Sequence, residues 1–259
     1  MSISIKSTRE IELMTEAGRM LQEVHQVLKE SLKVGMTTLE LDSICEAAIR
    51  ERGGIPNFLH YNGYPASVCI SINDEVVHGI PTADRVFQEG DVVSLDTGLI
   101  YKGYHSDAAR TYILGEVSKE IEDLVRVTEE SFFEGIKYAR EGCYLHDISA
   151  AIGNYAEKHG YGVVRDLCGH GIGTKLHESP EIPNFAQTRK GPKLYAGMTL
   201  AIEPMLNMGT HEVWWMEDDW TVVTRDGSVS SHYENTILIT KDEPIILTLN
   251  TKRNKQEEV

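Results

Sequence analysis

The stretch DVVSLDTGLIYKGYHSDAARTYIL, residues 91–114, decides the architecture. Two β-favouring runs flank Lys102-Gly103, a two-residue hairpin turn that would pair Tyr101 with Tyr104, and therefore residue 96 with 109. Asp96 lies inside an otherwise apolar run. In that register Asp107 stands two places from the partner of Asp96, on the same face and diagonally opposite. Two bare carboxylates on one buried face repel, so one must be protonated or a cation must lie between them.

Upstream of the hairpin the pattern is helical. Ser7 with Glu10 forms a capping box, and Ile11, Met14, Ala17, Leu21, Val24, Leu28 and Leu32 follow at helical spacing up to Gly35. Thr37 with Glu40 opens a second helix that ends at Gly53-Gly54, and SVCISI (67–72) reads as a strand. After Gly115 the order restarts, with helices expected over about 118–140 and 145–159 and strands beyond. An offset of 107 carries Gly35, Gly53 and Gly90 onto Gly142, Gly160 and Gly197. It also carries VVSLD (92–96) onto TLAIE (199–203), and so Asp96 onto Glu203. At an offset of 127, His105-Ser106-Asp107 matches His232-Tyr233-Glu234, and the 20 additional residues fall around HEVWWMEDDW (211–220). The expected fold class is α+β: one domain over 1–259, built of pseudo-symmetric halves at about 7–114 and 115–240, with helices outside the sheet. The polar end, about 250–259, is expected to fray.

Composition sets the remaining bounds. With 25 Lys+Arg against 40 Asp+Glu the formal charge is −15, which disfavours a phosphate backbone as partner. There is no signal-peptide h-region and no apolar run near the ~20 residues of a membrane span. Cys45, Cys69, Cys143 and Cys168 form no CxxC pair and read as reduced thiols. The expectation is a cytoplasmic chain without membrane or specific nucleic-acid partners.

The repeat turns one acidic pair into two, Asp96 with Asp107 and Glu203 with Glu234. Four carboxylates converging on an interior surface are costly without metal, whereas two divalent ions ~3.5–4 Å apart would satisfy them. His170, in CGHGIG (168–173), is the remaining ligand candidate, because flanking glycines permit backbone angles and close approach that bulkier residues forbid. A phosphate-binding loop is the rival reading of that stretch, but it lacks a Walker Lys and a GxGxxG. Oxygen-rich ligation with one imidazole favours Mn, Fe(II) or Co, and affinity alone leaves Zn and Ni open.

The order Asp96, Asp107, His170, Glu203, Glu234, with gaps of 11, 63, 33 and 31, resembles the methionine aminopeptidases of the pita-bread (creatinase/aminopeptidase) fold. The contexts VVHGIP (76–81), SLDTG (94–98), HSDAARTY (105–112), LHESP (176–180), IEPM (202–205) and HYENT (232–236) agree, and the likeness runs from the first helix to about Thr240. It implies a central curved antiparallel sheet with helices on its outer face. It also implies two ions bridged by Asp107 and Glu234, with Asp96 completing one and His170 and Glu203 the other. A hydroxide between the ions would attack the carbonyl after the N-terminal (initiator) methionine of a nascent polypeptide whose second residue is small. Glu203 would move the proton, His177 would hydrogen-bond the carbonyl oxygen, and His78 would contact the amide side.

Tyr61, Tyr64, Cys69 and Trp220 match the family's methionine pocket. Phe58 stands where a cysteine is common and Leu176 where a phenylalanine is common, an exchange that fills one wall and opens another and bears on substrate preference rather than on the reaction. Only 26 residues separate His177 from Glu203, too few for the helical insertion of type II enzymes, so the resemblance is to type I. A monomer that transiently contacts the ribosome is the accompanying expectation. The alternatives are an X-Pro aminopeptidase or prolidase, which shares the five ligands, and a non-catalytic binding homologue of the same fold.

Overall fold

A computed structural model of the chain describes residues 3–249, so the tail expected over 250–259 lies outside the described residues. Helices α1 (Thr8–Ser31) and α2 (Thr38–Glu51) precede strands β1 (Ile55–Pro56), β2 (Val68–Ile72), β3 (Glu75–Val77), β4 (Val92–Tyr101) and β5 (Tyr104–Ile113). Then α3 (Lys119–Ile136) and α4 (Leu145–Lys158) precede β6 (Gly162–Val163), β7 (Gly169–Gly171), β8 (Glu178–Ile182), β9 (Thr199–Ile202) and β10 (Met205–Asn207). The chain continues through β11 (Val213–Trp215), β12 (Val222–Thr224), β13 (Ser230–His232), β14 (Asn235–Leu238) and β15 (Ile245–Ile246). Helix–helix–strands thus occurs twice in order, as the glycine spacing predicts.

Local chemistry accounts for these elements. Ser7 and Thr37 both close capping boxes, with Glu10 and Glu40 respectively. The α1 stripe Met14, Ala17, Leu21, Val24 and Leu28 is fully buried. The helix stops at Ser31 rather than at Gly35, because Leu32 is already extended while its N–H still reaches the Leu28 carbonyl. Helix α3 ends at Ile136, short of the expected residue 140, where the chain turns to bridge Arg140 with Thr240. Lys102 and Gly103 both take positive φ, 48° and 87°, the two-residue turn that suits the twist of paired strands. Tyr101 then faces Tyr104, and Asp96 faces Ala109.

Period-2 alternation divides each central strand between a helix-facing core and an interior surface. In β4, Val93, Leu95 and Leu99 pack with Leu21 and Leu28 of α1 and Ile49 of α2, and Asp96 faces the other way. In β9, Leu200 and Ile202 pack with Phe132 of α3 and Ile148 and Ile152 of α4, which turns Ala201 and Glu203 inward. All named strand pairs are antiparallel. Two seams are prominent among the contacts that join the halves. Ala109 and Glu234 exchange both backbone hydrogen bonds, at 3.1 and 3.3 Å, and β12 pairs with β3. The 20 additional residues of the second half therefore form a hairpin, β11–β12, that reaches across to the first.

The second acidic pair departs from strict repetition. Asp107 faces Gly98, two places from Asp96, whereas Asn235 opposite Ile202 and His232 opposite Met205 put Glu234 level with Glu203. Pro204 has no N–H to donate, and the ladder breaks there between β9 and β10. The break leaves both glutamates outside regular strand.

Candidate metal centre and substrate cavity

Each acidic side chain is delivered by a strand or a strand end. Asp96 projects from mid-β4 between Cys69 of β2 and Ala109 of β5. Asp107 is pinned through its backbone, since its N–H donates to Thr236 Oγ1 (3.0 Å) and its carbonyl accepts from the same hydroxyl (2.9 Å). Glu203 is held by Asn184, whose amide donates to its carbonyl at 3.0 Å. The Glu234 segment is clasped by Arg110, which donates to the Glu234 carbonyl and, at 2.6 Å, to Asn235 Oδ1.

His170 owes its position to its neighbours. A Cβ on Gly169 would run into the carbonyl oxygen of Ala201, and one on Gly171 into that of Ser179. Neither glycine has positive φ, so these residues serve close approach of strands and not an unusual backbone angle. Gly169→Ala is expected to cost about 1–3 kcal/mol through overpacking, a drop in Tm of several degrees, together with most activity, because His170 would move against Ala201. A calorimetric scan and assay matching the parent protein would refute that account.

The ring itself is oriented for ligation. Nδ1–H donates to the Gly171 carbonyl at 2.9 Å, which leaves the Nε2 lone pair free. Nε2 lies 3.9 Å from Asp107 Oδ2 and 3.7 Å from Glu203 Oε1. These are not ion pairs: burial lowers His170 to about 3 and the ring is neutral. Ligand atoms of Asp107, His170 and Glu234 all fall within 4.8 Å of one another.

The carboxylates are under electrostatic strain. Burial first, and then the neighbouring acids, push Asp107, Glu203 and Glu234 far above the ordinary carboxylate range, while burial raises Asp96 to about 7. Asp96 Oδ1, Asp107 Oδ1 and Glu234 Oε1 are buried without a hydrogen-bond partner. Orphaned acceptors around a free imidazole nitrogen fit hard divalent cations, which would supply the missing partners and the missing positive charge.

A cavity of about 240 Å³ opens beside this cluster. Its lining includes Asp96, Asp107, His170, Glu203 and Glu234 together with His78, His177, Phe58, Tyr61, Tyr64, Cys69, Leu176 and Trp220. Every residue singled out from the sequence thus meets around one space. Tyr64 and Trp220 pack edge to face at 5.1 Å, and the Tyr64 hydroxyl donates to Gly79 O at 2.9 Å. Tyr61 Oη sits 2.7 Å from His177 Nδ1, and the His177 ring stands at 4.2 Å from that of His170. His78 takes φ 62°, a left-handed conformation disfavoured for a residue with a Cβ, and burial lowers its pKa to about 4.

Sequence reasoning missed several members of this lining. Val77, Leu167, Cys168 and Met205 also line the cavity. Cys168 and Met205 stand two places from His170 and Glu203, so strand alternation could have found them. His232, read only as a marker of the repeat, is a buried neutral imidazole with both ring nitrogens unpartnered and Nε2 3.9 Å from Glu203 Oε2. Between His177 and Glu203 the chain carries β8, a loop and β9 with no helix, the short connection expected of type I.

Comparison with known proteins agrees with this site. The model of metallopeptidase family M24 matches residues 12–241. The methionine aminopeptidase of Clostridium acetobutylicum is 51% identical over 247 residues, 95% of this chain and 99% of that protein. The crystal structure of methionine aminopeptidase from Thermotoga maritima superposes with a TM-score of 0.94 at 42% identity, covering 96% of this chain and all of that one. Prolidase from Pyrococcus furiosus shares the fold, with a TM-score of 0.75 at 23% identity, but this chain spans only 65% of it. A divalent metal belongs to the site of a metallopeptidase, and its ligands need the chemistry the acidic cluster offers. The chain belongs to metallopeptidase family M24 and, within it, to the methionine aminopeptidases.

Proposed function

We propose a division of labour among these residues for the removal of N-terminal methionine, the activity of this family. The observation that carries it is the free Nε2 of His170 among the orphaned oxygens of Asp96, Asp107 and Glu234, beside an apolar cavity. Asp107 and Glu234 would bridge two divalent ions, Asp96 would complete one, and His170 with Glu203 the other; Co, Mn, Fe(II), Zn and Ni all suit this donor set. When bound, such ions make a water nucleophilic near neutral pH and polarise a carbonyl.

The protein groups do the rest. Glu203 accepts the proton of the attacking water and returns it to the leaving amine. A Tyr61 hydroxyl that donates to His177 Nδ1 leaves the ring proton on Nε2, so His177 can donate to the substrate carbonyl as charge develops. His78, held neutral by burial, contacts the amide nitrogen side. Phe58, Tyr61, Tyr64, Cys69, Leu176 and Trp220 enclose the methionine side chain, whose sulfur suits aromatic edges. Phe58 and Leu176 pack in the same cluster, consistent with an exchange of bulk between opposite walls.

The chain works in this reading as one catalytic domain of two half-repeats, about 7–114 and 115–240, with the reaction at their junction. The two seams through Glu234 and β12–β3 support that view. No described helix is long and apolar enough to cross a membrane. A cytoplasmic monomer in transient contact with the ribosome, where its substrate emerges, completes the proposal. It is tested with metal-stripped protein on Met-Ala-Ser, Met-Lys-Ser and Ala-Pro-Ser, with and without Mn, Fe(II) or Co. Methionine release from Met-Ala-Ser alone, only with metal, is the expected result. Cleavage of Ala-Pro-Ser would move the chain to the proline-specific branch, silence on all three with metal bound would overturn the reading of the pocket but not of the ligands, and failure to take up metal together with tight binding of RNA or a protein partner would indicate a binding homologue.

A further inference from the structure

The β11–β12 hairpin carries Trp214, Trp215 and Met216, which are 61%, 45% and 48% exposed. Large apolar side chains in the open mark a contact surface when they continue one already in use. Trp215 faces Val222, and Val222 faces Val77, so the three share one face of the β11–β12–β3 sheet. Val77 lines the cavity, and Val222 packs with Val77 and Met205, another lining residue. Trp220, two places from Val222 and itself in the cavity wall, belongs to the same side. Trp215 is therefore the outward continuation of the cavity wall. Trp214, one residue away, faces the opposite side.

We propose that Trp215 is a specificity-determining contact for the fourth and fifth residues of the peptide substrate, selecting an aromatic or long apolar side chain followed by a basic one. Two strand spacings separate Val77 from Trp215, about 10 Å. An extended peptide advances about 3.4 Å per residue, so a chain whose methionine fills the cavity reaches Trp215 with its fourth residue. The turn beyond supplies the charge preference. Glu217 and Asp219 are exposed, and Asp218 is spent on the N–H groups of Trp220 and Thr221 at 2.9 and 2.8 Å. An indole face beside carboxylates suits a lysine or arginine stem and its cation.

This inference rests on the methionine aminopeptidase reading, and the substrates separate the two. KM and kcat are measured for metal-loaded protein on Met-Ala-Ser, Met-Ala-Ser-Gly-Gly-Gly and Met-Ala-Ser-Phe-Lys-Gly. The last is expected to show a KM about fivefold below the others. Trp215→Ala should erase that advantage with kcat unchanged, Trp215→Phe should keep most of it, and Trp214→Ala, which removes similar apolar area from the other face, should keep all of it. Equal KM values for the three peptides in the parent protein would overturn the proposal. So would a Trp215→Ala defect that is as large on Met-Ala-Ser, or an equal loss in Trp214→Ala. Failure of the parent protein to cleave Met-Ala-Ser would instead overturn the underlying reading.

Discussion

Glu203→Gln is expected to lower kcat on Met-Ala-Ser by about 10²–10⁴-fold, the usual worth of a positioned general base, with the fold intact. Glu203 lies between two imidazoles, Oε1 at 3.7 Å from His170 and Oε2 at 3.9 Å from His232, and both rings are neutral. Neither ring can take over a proton easily, because burial lowers each to about 3. The amide preserves volume and resembles the neutral acid that burial already favours, so the metal-free variant should melt at or above the parent temperature. Metal content by elemental analysis distinguishes loss of the base from loss of an ion. A metal-loaded Gln variant keeping more than about a tenth of the parental kcat would remove Glu203 from the proton-moving role.

The parts of this site that were legible in the sequence share a physical reason. Lys102-Gly103 dictates its own turn geometry, and the turn sets the register that brings Asp96 and Asp107 to one face. Capping boxes announce α1 and α2 because each is closed by hydrogen bonds between residues three apart in the chain. Long-range contacts were harder to see. Nothing local in HEVWWMEDDW says that it folds back on Val222–Thr224, or that this second strand pairs with Glu75–Val77, more than 130 residues away. The repeat predicted a diagonal Glu203–Glu234 pair, whereas one register, continuous from Asn235↔Ile202 to His232↔Met205, sets the two level. The His170 glycines were recognised for closeness and for backbone angle, and only closeness is used. His232 escaped notice because its two unpartnered nitrogens are a property of the packed interior.

Removal of divalent ions is expected to abolish hydrolysis and to leave a protein that loses stability relative to an Asp96→Asn variant as pH rises. Burial lifts Asp96 from the usual carboxylate range to about 7 in the folded chain. A carboxyl whose folded pKa lies above its unfolded value holds its proton more tightly when folded. Its contribution is therefore complete below about pH 4 and is lost as pH rises through about 7, a change on the order of 4 kcal/mol. His25, His78, His170 and His232 act in the opposite sense. Burial lowers them to about 3 or 4, so what they contribute is present above about 6.5 and is lost as pH falls. Both proteins contain these histidines, and the comparison cancels them. With chelator present, the advantage of Asp96→Asn over the parent should open above about pH 4, stand at about 1.6 kcal/mol near pH 5 and be complete by about pH 8, at about 2–4 °C in Tm per kcal/mol. Adding Mn(II) should reverse the order in the parent alone, because the ion takes the deprotonated carboxylates and gains affinity with pH. At a hundredfold excess over Kd the gain is about 2.7 kcal/mol. A chelated parent as stable at pH 8 as Asp96→Asn, or Mn(II) that protects equally at pH 5 and pH 8, would show that the quartet does not carry this charge conflict and that the ions bind elsewhere.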